Sequence, residues 1–136
     1  MNRTFVMCKP DAVERGLVGA IVDRFERKGL RLVASELRTI DRTTATKHYA
    51  EHEGKGFFES LLVFITRSPS MLLVLQGPAD TWQIVRTLMG ATNPATAAPG
   101  TIRGDLGLET TENLVHGSDS AESAAREIAI FFPGLG

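Results

Sequence analysis

The sequence predicts an α/β (α+β) fold in which helices cover a four-stranded sheet, and two observations carry that prediction. Strand-length apolar runs alternate with stretches of helical spacing in the order β-α-β-α-β-α-β-α, with one short extra helix before the second long one. The long helical stretches carry an apolar stripe, and two such helices laid on one face of a four-stranded sheet would bury those stripes.

Arg3 to Cys8 reads as the first strand, stopped by Lys9-Pro10-Asp11. Val18 to Lys28 carries Val18, Ile21, Val22 and Phe25 at the spacing of an amphipathic helix, and Gly29 after Arg27 and Lys28 marks its C-terminus. Leu30 to Ile40 alternates imperfectly as a second strand. Thr43 to Glu51 reads as a short helix capped by a threonine, and a turn at Gly54-Lys55-Gly56 leads into a helix from Phe57 to Thr66. Ser68-Pro69-Ser70 breaks that helix, and Met71 to Leu75 is an unbroken apolar run expected of a buried central strand. Asp80 to Met89 forms a helix with Ile84, Val85 and Leu88 inward.

Between Gly90 and Glu112 apolar periodicity is lost, and two prolines and four glycines make a long loop. Thr92-Asn93-Pro94 and Pro99-Gly100-Thr101 are specific turn signals, so the loop reads as ordered, and ordered loops of this length tend to carry function. Within it, Thr101 to Asp105 is too short to form an element of its own. Leu114 and Val115 belong to the last strand, and Asp119 to Phe132 to a last helix whose start Asp119 and Glu122 would close as a capping box.

The bulk numbers exclude several classes. A length of 136 residues fits one domain with a real core. Fifteen basic residues nearly balance sixteen acidic ones, for a charge of −1, so no global basic field points to nucleic acid and any anion site must be local. The longest apolar runs are five residues, far below the roughly 20 a membrane span needs. The N-terminal stretch lacks the apolar core of a secretory signal, and Cys8, the only cysteine, reads as inert core; both fit a reducing cytoplasm.

The richest stretch is Asn113-Leu-Val-His116-Gly-Ser118-Asp119-Ser120-Ala-Glu122. An apolar pair leads into an imidazole, and a glycine and helix-capping residues follow at once, which reads as a strand end, a turn and a helix start. Unpaired N–H groups at a helix start suit an anion. A neutral imidazole attacks phosphorus with one nitrogen if the proton on the other is held by an acceptor. Glu127 lies at the edge of the stripe formed by Ala121, Ala124, Ala125, Ile128 and Phe132, and is either that acceptor or a solvated flank. Lys9 is a cation at a strand end; Arg86 and Arg103 bracket the long loop, with the Thr92 hydroxyl between them, a set suited to phosphate oxygens. Phe57 and Phe58 open a helix after a glycine turn, so one can enter the core and the other can present a stacking face to a nucleobase. His48 and His52 imitate an i, i+4 metal pair, but no third ligand lies near them in sequence, so no protein metal site is expected.

Taken together these residues resemble the nucleoside diphosphate kinase family. The resemblance rests on Asn113 through Ser123, Lys9-Pro10-Asp11, Tyr49-Ala-Glu-His52, Phe57-Phe58, Arg86 through Pro94, and Pro99 through Asp105, and spans residues 1–136 as one such domain. The ending Phe131-Phe132-Pro133-Gly134 looks like the bacterial branch. The resemblance implies a ferredoxin-like antiparallel sheet and a ping-pong transfer of the γ-phosphate, mainly of ATP, to nucleoside diphosphates, which maintains NTP and dNTP pools. His116 would become a phosphohistidine, Glu127 would orient it, and Ser118 would help place it. Lys9, His52, Arg86, Thr92 and Arg103 would hold phosphates, Asn113 and Lys9 the ribose, and Phe57 the base, with Tyr49 supporting Lys9. Mg²⁺ would be bound through the nucleotide phosphates rather than by a protein cage, the assembly would be a tetramer or hexamer, and nucleic acid and membrane are not expected partners. Lys55-Gly56 in place of Arg-Pro, Ser68-Pro69-Ser70 in place of Ser-Gly-Pro, Gln76 in place of glutamate and one extra residue before Arg86 depart from the family pattern. Arg103→Ala is expected to weaken nucleotide binding and leave the fold intact. A nucleotide-binding module without catalysis would not need His116, and a nucleic-acid-binding sheet would need a basic face that the chain lacks.

Overall fold

The structure, a computed structural model, describes residues 2–135. Four strands, β1 (Arg3–Cys8), β2 (Arg31–Arg38), β3 (Ser70–Gln76) and β4 (Val115–Gly117), form one sheet in the order β2-β3-β1-β4. Every pairing is antiparallel, with Phe5 opposite Val74 and Met7 opposite His116. The two inner strands are the most apolar, because they are covered on both sides. Gln76, one of the departures, finds its use here: it faces Arg3 across β1 and β3 and accepts a hydrogen bond from Arg3 Nε at 2.8 Å.

Alternation along β1 sends Val6 and Cys8 to one face and Phe5 and Met7 to the other. On the first face lie Ile21 and Phe25 of α2 (Val18–Lys28) and Val85 and Met89 of α5 (Thr81–Met89). These are the two long helices expected to cover the sheet. The opposite face is not left to water. Ala45 of α3 (Arg42–His48), Leu62 and Ile65 of α4 (Phe58–Thr66) and Phe131 of α7 (Ala121–Phe131) close it over Phe5, Met7 and Leu72. Phe5 and Phe131 stack with centroids 4.7 Å apart, and each fully buried phenylalanine contributes up to about 3 kcal/mol by leaving water.

Several local expectations change. Lys9-Pro10-Asp11 does not merely stop β1; Pro10 opens the short helix α1 (Pro10–Glu14), where its missing N–H costs nothing. Asp41, not a threonine, caps α3 by accepting from Thr44 N at 2.7 Å. The capped segment ends at His48, and Ala50–His52 is a 3₁₀ turn. Thr101 to Asp105 does yield an element: Thr101 caps α6 (Ile102–Leu106), and its Oγ1 accepts from Gly104 N. A short segment survives there because its carbonyls and side chains are bonded into the surrounding loop rather than because of its own helical propensity. The last strand begins at Val115, so Leu114 lies just outside it. Ser120, not Asp119, caps α7 through Ser123 N at 3.0 Å, so the predicted Asp119–Glu122 box is replaced by a serine cap. Gly29 ends α2 in the left-handed region (φ 103°), as the sequence indicates.

Candidate active site

β4 is only three residues long, and its middle residue is His116. The strand can sit close to α5 because Gly117 has no side chain; a Cβ there would lie 2.5 Å from Met89 Sδ and 3.3 Å from Val85 Cγ1. That close approach brings Arg86 of α5 to the strand, where its Nη1 donates to Gly117 O at 3.0 Å. From the other side α7 brings Glu127. The helix faces the sheet with Ala124, Glu127 and Phe131, so Glu127 is buried at the centre of the stripe (3% exposed) instead of at its edge.

The buried carboxylate is fully used. Glu127 Oε1 lies 2.8 Å from His116 Nε2 and 2.7 Å from Ser118 Oγ, and Arg126 reaches Oε2 at 3.4 Å. A carboxylate only accepts, so both neighbours on Oε1 must donate. The His116 ring therefore carries its proton on Nε2, and Nδ1 keeps the lone pair. The ring is partly exposed and lines a cleft of about 170 Å³ with His48, Tyr49, Glu51, His52, Arg86, Gly117, Asp119 and Glu127.

A second group of residues meets at the end of β1. Lys9 caps the end of β1, and its Nζ donates to Asn113 Oδ1 at 2.7 Å. The Asn113 amide in turn donates to Thr92 O at 2.9 Å, so one buried side chain ties the strand-end cation to the long loop. Burial and the neighbouring Arg103 push the Lys9 ammonium down to about 8, only partly offset by Asp11. Arg103 is itself buried, and its guanidinium is spent on backbone: Nε donates to Asn113 O at 3.2 Å, Nη1 to Gly90 O at 3.1 Å and Nη2 to Val115 O at 2.7 Å. Burial and Arg86 bring it down to about 10. Arg103 thus staples the long loop to β4, so its loss is expected to weaken the fold as well as nucleotide binding. Thr92 sits exposed beside this network.

Tyr49 and His52 line the cleft. The Tyr49 ring packs 4.6 Å from that of His48, and burial raises its phenol to about 12, so it stays protonated at neutral pH. Lys9 Nζ donates to Asn113 Oδ1, so its ammonium is held on the Asn113 side. His52 lies 3.4 Å from Lys55 Nζ through Nδ1, and its ring is 5.4 Å from that of Phe57. Phe57 is half exposed while Phe58 packs against the core, which divides the two aromatics into a free face and an anchor.

The sequence reading missed three features. Asp11 Oδ2 accepts from Leu114 N at 3.0 Å, and Leu114 holds φ 75°, a strained value for a leucine, next to Asn113. Asp119 and Glu51 reach the cleft. His48 does not pair with His52; its ring is buried edge-on to His116, with centroids 4.7 Å apart. Pro10 at a helix start was a signal for the first, but nothing local in sequence announces the others.

Known proteins share this fold. The family model described as "Nucleoside diphosphate kinase" matches residues 2–135. A nucleoside diphosphate kinase of Parafrankia sp. is 56% identical over 98% of this chain and 97% of that protein, and one from Frankia casuarinae is 57% identical over 99% and 98%. Among solved structures, that of a halophilic nucleoside diphosphate kinase from Halobacterium salinarum in complex with CDP superposes with a TM-score of 0.93 at 52% identity, covering 97% of this chain and 88% of that one. A family protein from Babesia bovis gives 0.94 at 46% identity, with the same coverage. The chain belongs to the nucleoside diphosphate kinase family.

Proposed function

We propose that the chain moves the γ-phosphate of a nucleoside triphosphate, chiefly ATP, onto nucleoside diphosphates in two half-reactions through His116. The observation that carries this reading is the Ser118–Glu127–His116 chain, which pins the imidazole proton on Nε2 and leaves Nδ1 as the basic nitrogen of a ring lining the cleft. In the first half-reaction the Nδ1 lone pair attacks the γ-phosphorus, the bond from phosphorus to the bridging oxygen breaks, and the diphosphate leaves. The ring gains positive charge as the N–P bond forms, and the buried Glu127 carboxylate offsets it while the Nε2 proton stays in place. In the second, a terminal oxygen of a different diphosphate attacks the same phosphorus and the N–P bond breaks. One cleft serves both substrates in turn.

Arg86 and Lys9 supply positive charge for the phosphates, with the His52 ring and the Thr92 hydroxyl as further donors, and Arg103 acts by holding the loop that carries Thr92. Asn113 and Lys9 would meet the ribose, a role supported by the Lys9–Asn113 hydrogen bond that holds them together. Phe57 presents a half-exposed ring with Lys55 Nζ 5.8 Å from its centre, a stacking surface that reads no base edge and so tolerates every base. Mg²⁺ fits this site as an ion held through the phosphates. Glu127 is committed to Ser118 and His116, and among the described residues the grouped donors include two imidazoles, a set unlike the oxygen shell Mg²⁺ prefers. When bound it neutralises phosphate charge. The enzyme works in the cytoplasm as a homo-oligomer of four or six chains.

The test is intact-mass spectrometry after incubation with MgATP. The protein should gain one phosphoryl group, labile in acid and stable in base, and His116→Ala should gain none and exchange no phosphate between nucleotides. Turnover retained in that variant would defeat the mechanism.

A further inference from the structure

The least explained side chain near the cleft is His48. Its ring is 3% exposed, wedged among Phe5, Tyr49, Phe131 and His116, and both ring nitrogens are buried without a hydrogen-bond partner. Buried polar atoms are rarely left in that state, and the proposed phosphoryl transfer gives this ring no task. Burial, with His116 next in weight, holds its imidazole well below the usual histidine range, so the ring is neutral and keeps a lone pair at physiological pH. One donor atom each from His48, His116 and Glu127 lie within 4.8 Å of one another, the only such grouping among the described residues.

We propose that His48, His116 and Glu127 form a binding site for a borderline divalent transition cation of the zinc type, and that its occupancy prevents His116 from accepting a phosphoryl group. Two imidazoles and one carboxylate are a donor set that zinc uses in open, catalytic-type sites, with water in the fourth position. The cleft supplies access for that water. Imidazole donors favour Zn²⁺ and Cu²⁺ over Mg²⁺, so the ion that accompanies the nucleotide does not compete for this site. Tetrahedral ligands at about 2.0–2.1 Å from zinc lie roughly 3.4 Å apart, so a gap of up to 4.8 Å must close by as much as about 1.4 Å through ring tilts. Arg126 beside Glu127 and the nearby Lys9 oppose a further cation, which keeps the site a reversible one. Coordination through either nitrogen of His116 removes the lone pair or the Glu127 contact that phosphoryl acceptance needs. This inhibitory consequence rests on His116 being the phosphoryl acceptor; the cation site does not.

The apo protein is titrated with Zn²⁺ against a chromophoric chelator, and X-ray absorption is recorded at the zinc edge. The expected result is one ion per chain, two imidazole ligands plus oxygen in the absorption spectrum, and affinity weakened at least about tenfold in His48→Gln but changed less than about threefold in His52→Gln. Zinc added before MgATP should slow appearance of the phosphoryl adduct about tenfold or more, with recovery on adding chelator. Zinc affinity unchanged in His48→Gln, or a wild-type spectrum with fewer than two imidazoles, would overturn the proposal; the spectrum decides even if His48→Gln fails to fold. A protein that takes up zinc as described but no phosphorus keeps the cation site and removes the acceptor role, whereas one that takes phosphorus but no zinc does the reverse.

Discussion

Replacing Glu127 by glutamine tests the centre of the mechanism with the least change of shape. Glu127 Oε1 now accepts from both Ser118 Oγ and His116 Nε2, and only an acceptor can satisfy both. A glutamine has one acceptor atom and one donor group. If its oxygen faces His116, the hydrogen bond survives but the charge that offsets the developing imidazolium is gone. If its amide faces His116, the ring must present a lone pair at Nε2, and the proton moves to the nitrogen that should attack. A hydrogen bond to a charged group contributes about 1.5–3 kcal/mol, and each 1.4 kcal/mol of barrier is tenfold in rate, so the loss falls between about tenfold and a hundredfold or slightly more. The assay is quenched-flow measurement of phosphohistidine formation in a single turnover, paired with thermal unfolding to show that the fold persists. The pair of readouts matters because Glu127 is buried against β1 and β4, so a general loss of structure would also slow the reaction. A variant that is phosphorylated within about twofold of the wild-type rate, in an intact fold, would refute the claim that the carboxylate sets the tautomer and stabilises the ring charge.

Two further outcomes follow from the Lys9 and Arg103 network. Arg103→Ala should lower stability by about 3 kcal/mol, because the Gly90 and Val115 carbonyls lose donors inside the protein, and should drop the melting temperature by roughly 10 °C; a Tm unchanged with only nucleotide affinity reduced would show that Arg103 contacts phosphate instead of stapling the loop. Lys9 gives a pH limb: its ammonium is held down to about 8, so kcat/KM for nucleotide should fall as pH rises through about 8 and the cation is lost. The stability sign runs the other way, since between about 8 and the usual lysine value near 10.5 the unfolded chain binds a proton the native one does not, and this group makes the fold more stable as pH climbs through that window. A kcat/KM profile flat to about pH 9.5 would remove Lys9 from the phosphate site.

The strands and long helices were legible because burial imposes a period on the sequence, and the buried pattern of β3 and the Gly29 stop of α2 follow it closely. What was not legible depends on neighbours far along the chain. Asp41 and Ser120 outcompeted the expected caps by one or two positions, since several adjacent residues could each serve and only the local backbone selects one. The second covered face needed α3, α4 and α7 to return across Phe5 and Met7, which no local window reports. The residues of the site were legible as a set, because the Asn113 to Ser123 stretch resembles a family pattern. Their division of labour was not: a sequence cannot tell an arginine that meets a ligand from one that meets three carbonyls.

The strain at Leu114 links these two layers. A leucine at φ 75° costs about 1–3 kcal/mol and persists only where its surroundings over-determine it. Here they do: its N–H is taken by the buried Asp11 carboxylate, and its carbonyl accepts from Lys9 N at 2.8 Å. The reversal it makes in the backbone lets Asn113 turn its side chain toward Lys9 and Thr92 while Val115, two residues on, already lies in the sheet beside Cys8. A relaxed extended leucine would lengthen β4 by a residue and carry Asn113 away from Lys9 and Thr92. The chain therefore spends folding energy, recovered through Asp11 and Lys9, to set a cation at the end of one strand and an imidazole on the strand beside it.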